Sequence, residues 1–66
     1  MKVVINGVLQ ELDSGISLID ALKKLGIDSK VVAIALNSNI VKKPEWSSVI
    51  LKENDTLELL QFVSGG

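Results

Sequence analysis

From Met1 to Asp13 two apolar-rich runs, "VVI" and "VL", flank the pair Asn6-Gly7, with polar residues beyond them. Both residues accept positive φ, so the pair predicts a tight two-residue hairpin turn. Such a turn sets Ile5 opposite Val8 and Val3 opposite Gln10. Met1, Val3, Ile5, Val8 and Leu12 then share one face, and Lys2, Val4, Leu9, Glu11 and Asp13 share the other. The period changes in "SGISLIDALKKLGI". Leu18, Ile19, Leu22 and Leu25 recur at helical spacing, which predicts a short amphipathic helix. Ser17 is suited to the N-cap, with Asp20 three residues on to complete a capping box. Asp20 and Lys24 stand at i,i+4 on the wet side. Gly26 fits the left-handed position after the helix, with Ile27 folding back on Leu22.

"VVAIALN" is a continuous apolar run, as in a strand buried on both faces or nearly so. Val32, Ile34 and Leu36 are expected on one side, Ala33 and Ala35 on the other. "NSN" turns the chain, "IVKK" gives a short strand, and Pro44 opens a short helix, "PEWSSVI". Trp46 is expected to lid one edge of the core. After the polar turn "KENDT", the stretch "TLELLQFV" reads as the last strand. Leu57, Leu59, Gln61 and Val63 face one way, and Glu58, Leu60 and Phe62 the other. The pattern predicts an α+β fold of order β-β-α-β-β-β: a mixed sheet of four to five strands packed on one α-helix, resembling the ubiquitin-like β-grasp. One sheet face is covered by the helix and the other is left open.

Sixty-six residues make one domain, expected over 1–66 with a flexible tail at 63–66. A core this small supplies roughly 3–5 kcal/mol net. At 47% hydrophobic and 23% charged, the composition is that of a folded chain. The sequence has no Cys and no His. That removes a disulfide scaffold, a thiolate metal site, a cysteine nucleophile and the usual general base. Seven Lys stand against eight Asp and Glu, so no basic surface for nucleic acid is built. No stretch is long and apolar enough for a membrane span and no signal peptide opens the sequence, so a soluble, cytoplasmic protein is expected.

Candidate catalytic groups do not assemble. Glu11/Asp13 and Glu53/Asp55 fall in turn-rich or solvent-facing stretches, and Ser14, Ser17, Ser47 and Ser48 have no histidine to activate them. Lys42-Lys43 reads as solvated surface. The ending "VSGG" carries more chemistry. Glycine has no Cβ, so Gly65-Gly66 can thread a channel too narrow for other residues. The Gly66 carboxylate is unhindered, and Ser64 and Gly65 complete the tail. The four residues from Val63 onward reach about 13 Å when extended. The open sheet face supplies a second candidate. Leu60, Phe62, Val4 and Leu9 are expected there as an apolar docking patch for a partner.

The stretches "MKVVINGVLQEL", "VAIALNSNIVKKPEW" and "LKENDTLELLQFVSGG" together cover most of the chain. They resemble the ThiS family, sulfur carriers of thiamine biosynthesis. The Gly-Gly ending is shared with ubiquitin and with the small subunit of molybdopterin synthase. The resemblance implies a non-enzymatic co-substrate without a bound cofactor or metal. A ThiF-like adenylating enzyme would spend ATP to activate the Gly66 carboxylate. A sulfur donor such as a cysteine desulfurase would convert it to a thiocarboxylate, and thiazole synthase would take the sulfur. A carrier serving molybdopterin synthesis, a ubiquitin-like conjugating or binding module, and a scaffold with an inert tail are the alternatives.

Overall fold

The computed structural model describes residues 1–61. The readings placed on Phe62, Val63, Ser64, Gly65 and Gly66 lie outside the described residues. The strands are β1 (Lys2–Ile5), β2 (Val8–Glu11), β3 (Val31–Leu36), β4 (Asn39–Val41) and β5 (Thr56–Gln61). One helix, α1 (Leu18–Lys24), lies between β2 and β3, and a 3-10 turn at Lys43–Glu45 follows β4. The five strands form one mixed sheet in the order β2-β1-β5-β3-β4. β1 and β5 run parallel at its centre, and the other pairings are antiparallel. This is the expected order and the upper end of the expected strand number.

The first hairpin has the register that the Asn6-Gly7 turn dictates, with Val3 opposite Gln10 and Ile5 opposite Val8. Asn6 and Gly7 both take positive φ, 49° and 80°. Asn37 and Ser38, at 50° and 73°, make a second turn of the same hand between β3 and β4. The register of β1 against β5 is fixed at its start by a polar cluster. Asp55, buried, accepts from the Lys52 N–H at 2.7 Å and from Asn37 Nδ2 at 2.9 Å. Asn37 Oδ1 in turn accepts from the Thr56 N–H at 2.9 Å, and the Asp55 carbonyl accepts from the Val4 N–H at 2.9 Å.

The helix begins and ends on its expected residues. Ser17 caps it, its Oγ accepting from the Asp20 N–H at 3.1 Å. At the other end the Ile27 N–H donates to Leu22 O and the Gly26 N–H to Lys23 O, both at 3.0 Å, with Gly26 at φ 73°. Two carbonyls at the helix end are thereby satisfied, in a left-handed turn that glycine adopts without strain. Leu18, Ala21 and Leu22 enter a core with Val3, Ile5, Leu12, Val31, Ile34, Leu57 and Leu59. Ile19 and Leu25 pack at its margin. Trp46 and Leu51 close the end of the core from the segment after β4. The Trp46 indole is buried and donates to Val41 O at 2.9 Å, so its polar edge is satisfied.

Four expectations need correction. Val32 does not share the inner face with Ile34 and Leu36. The pairing of β3 with β5 shifts between Val31 and Ala33, and this bulge turns Val31 into the core and leaves Val32 exposed. β3 is accordingly not buried on both faces, since Ala33 and Ala35 are only half-buried. Val8 is exposed because β2 lies at the sheet edge, where no further element among the described residues covers it. Asp20 and Lys24 are both on the wet side as expected, and Lys24 meets Asp13 at 3.7 Å. Both groups are exposed, so that pair adds little stability. Finally, the helix expected over "PEWSSVI" is reduced to the 3-10 turn at Lys43–Glu45.

Candidate functional site

Alternation along β5 decides what the two sheet faces carry. Leu57 and Leu59 are buried under the helix, while Thr56, Glu58 and Leu60 point to the open face. Register then assigns the neighbours. Val4 lies between Leu9 on β2 and Thr56 on β5. Glu58 lies opposite Ala35, which lies opposite Ile40 on β4, and Leu60 lies opposite Ala33.

Three residues of the expected docking patch are therefore on the open face. Leu60 is 63% exposed and Leu9 61%, and Val4 is half-buried. They do not form one cluster. Thr56, the neighbour of Val4, precedes Leu60 by four strand residues, which spans about 13 Å. Leu9 and Val4 sit together toward the β2 edge. Leu60 belongs to a second cluster, a shallow hollow of about 280 Å³ bordered by Ala33, Ala35, Ile40 and Glu58. Phe62 and the tail residues Ser64, Gly65 and Gly66 lie outside the described residues.

The sequence reading missed Ile40, 73% exposed, and the role of Ala33 and Ala35. A signal was available. The large-small alternation of β3 set Ala33 and Ala35 on one face, where each contributes only a methyl group. Those methyls leave the depression that the larger Ile40 and Leu60 flank. The hollow is a shallow concave surface whose lining is almost wholly apolar. Glu58, which borders the hollow, makes no ion pair among the described residues.

Side chains suited to catalysis are dispersed. Glu53 accepts from the Lys2 N–H at 2.7 Å and 3.1 Å, and Asp55 is engaged by Lys52 and Asn37. Glu11 meets the N-terminal ammonium at 3.4 Å. These carboxylates hold backbone and terminus in place. Among the described residues no group of three or more His, Cys, Asp or Glu could hold a metal ion. Nor is any helix among them long and apolar enough to cross a membrane.

Comparison with known proteins gives concordant results. The model of the ThiS family matches residues 3–66. A thiazole synthase of Paramagnetospirillum magneticum is 36% identical over 66 residues, all of this chain and 20% of its own length. One from Magnetococcus marinus is 32% identical over the same span, again 20% of its length. The chain thus spans about a fifth of the length of these two relatives. The sulfur carrier protein ThiS of Escherichia coli is 26% identical, and the match covers all of both chains. Among solved structures, the crystal structure of a thiamine biosynthesis protein (ThiS) from Geobacter metallireducens superposes with a TM-score of 0.81 at 23% identity, over all of both chains. The sheet, the single helix and their order are those of the β-grasp fold, and the matched segment runs through the Gly-Gly ending: the chain belongs to the ThiS family.

Proposed function

We propose that this protein is a sulfur carrier in thiamine biosynthesis, with the Gly66 carboxylate as the group that is activated and loaded. What carries this reading is that the family match extends to residue 66 and so includes Gly65 and Gly66. A Gly66 carboxylate oxygen attacks the α-phosphorus of ATP in the active site of a ThiF-like adenylating enzyme. A P–O bond forms, the α–β phosphoanhydride bond breaks, and pyrophosphate leaves. A hydrosulfide then attacks the acyl carbon. The bond to AMP breaks, a proton is released, and a thiocarboxylate remains. Where a cysteine desulfurase delivers the sulfur as a persulfide, a thiol reductant cleaves the S–S bond left on the acyl group.

The protein is a co-substrate in this scheme, a single domain over residues 1–66 with residues 63–66 as the reacting tail. Nothing in its chemistry requires a bound cofactor; ATP is consumed by the partner. The open sheet face gives the partner its purchase, through Leu9 and Val4 at one side and the Ala33–Ala35–Ile40–Leu60 hollow at the other. The names of the longer relatives support thiazole synthase as the sulfur acceptor. The test is a transfer experiment. The chain is loaded with isotopically labelled sulfide, ATP and the adenylating enzyme, purified, and mixed with thiazole synthase and its other substrates. Label in the thiazole product is expected. Label taken up only by molybdopterin synthase moves the reading to that pathway, and an isopeptide adduct on lysine moves it to a conjugating module.

A further inference from the structure

Asn6 does more than turn the chain. Its N–H donates to Leu57 O at 2.9 Å, the last main-chain bond from this end of β1 to β5. The backbone then leaves β5 at φ 49° to form the hairpin. Two residues farther along β5, Leu59 is buried, and its N–H and C=O point to the side from which β1 has departed. The Asn6 side chain supplies both partners. Its Oδ1 accepts from the Leu59 N–H at 2.7 Å, and its Nδ2 donates to Leu59 O at 3.3 Å. One carboxamide thus replaces the strand residue that β1 does not provide. Glycine would satisfy the left-handed backbone equally well but could make neither bond.

The position of this clamp matters because β5 ends at Gln61, five residues before Gly66. Leu59 is held from one side by Asn6, while on the other side it lies opposite Ile34 of β3, and the bulge between Val31 and Ala33 interrupts the pairing just beyond it, between Leu60 and Gln61. We propose that Asn6 is a positioning residue for the carrier reaction, holding the end of β5 in the sheet so that the tail leaves from a fixed origin beside the docking face. This rests on the sulfur-carrier reading of the preceding subsection. Without the clamp, the residues from Leu59 to Gln61 are tied to β3 alone. Any of them that frays must be ordered again each time the tail enters the partner's active site. Ordering one backbone residue corresponds to about a tenfold change in rate.

The test compares Asn6→Gly and Asn6→Asp with the wild type in adenylation by a ThiF-like enzyme. Asn6→Gly keeps the turn and removes both side-chain bonds. Asn6→Asp keeps an acceptor for the Leu59 N–H and loses the donor. Concentrations are corrected for the folded fraction, read from Trp46 fluorescence. For Asn6→Gly the expected result is a kcat lower by about tenfold with a smaller rise in KM, because Leu60, within the loosened stretch, also borders the docking hollow while Ala33, Ala35 and Ile40 stay in place. Asn6→Asp should recover part of the loss, and the Leu59 amide proton should exchange faster in Asn6→Gly than in Asn6→Asp. An unchanged kcat in Asn6→Gly overturns this inference alone, as does a rise in KM that accounts for the whole defect. A wild-type chain that is never adenylated overturns the sulfur-carrier reading and takes this inference with it.

Discussion

Leu59 and Leu60 adjoin in sequence and oppose each other in the fold, so they offer a controlled comparison. Leu59 is 8% exposed and packs in the core; Leu60 is 63% exposed on the open face. Truncating a buried leucine to alanine costs about 2–5 kcal/mol, from lost transfer energy and the cavity left behind. The net stability of so small a domain is roughly 3–5 kcal/mol. Leu59→Ala should therefore remove about two-fifths of the stability or more. For Leu60, most of the ~1.5–3 kcal/mol available from full burial is never realised. Lysine at that site can lay its methylene stem along Ala33 while its ammonium stays in water. Leu60→Lys should then cost less than about 1 kcal/mol. Urea unfolding followed by the fluorescence of Trp46, the one tryptophan and a buried one, measures both. Equal losses for the two variants would refute the face assignment, and with it the claim that Leu60 is available to a partner.

Further predictions follow from the same geometry. Ile40→Asp should leave the unfolding free energy within about 0.5 kcal/mol of wild type. It should nevertheless raise the KM for the adenylating enzyme severalfold, which titration of the initial rate measures. Asp55→Ala strands the Lys52 N–H and Asn37 Nδ2 and should cost about 2–3 kcal/mol in the same urea assay. Ser17→Ala removes the helix cap and should cost about 1 kcal/mol. Its effect should appear in stability and not in KM.

What could be read from the sequence was what local chemistry decides. The Asn6-Gly7 pair set the register of the first hairpin because only a two-residue turn satisfies both positive φ angles. Ser17 and Gly26 bounded the helix because each meets a specific unsatisfied backbone group. What escaped was decided between distant segments. The bulge that exposes Val32 exists only in the pairing of β3 with β5, which no residue near Val32 announces. The parallel register that sets Val4 beside Thr56 separates Leu60 from Val4 and Leu9, so the docking patch divides into two clusters. Lys24 meets Asp13, a pairing that tertiary approach decides. The clamp of Asn6 on Leu59 was hidden for the same reason: its partner lies 53 residues away. Candidate chemistry was legible mainly as a lack of side chains for catalysis and as an ending without bulk.

The account depends most on the carbonyl of Gly66 accepting sulfur. Its most direct test is the intact mass of the protein after incubation with an adenylating enzyme, ATP and sulfide, alongside a chain lacking Gly66. The account predicts a gain equal to one oxygen-to-sulfur exchange, localised by fragmentation to the last residue and lost on deletion. An unchanged mass in the wild type, or the same gain in the shortened chain, would contradict it.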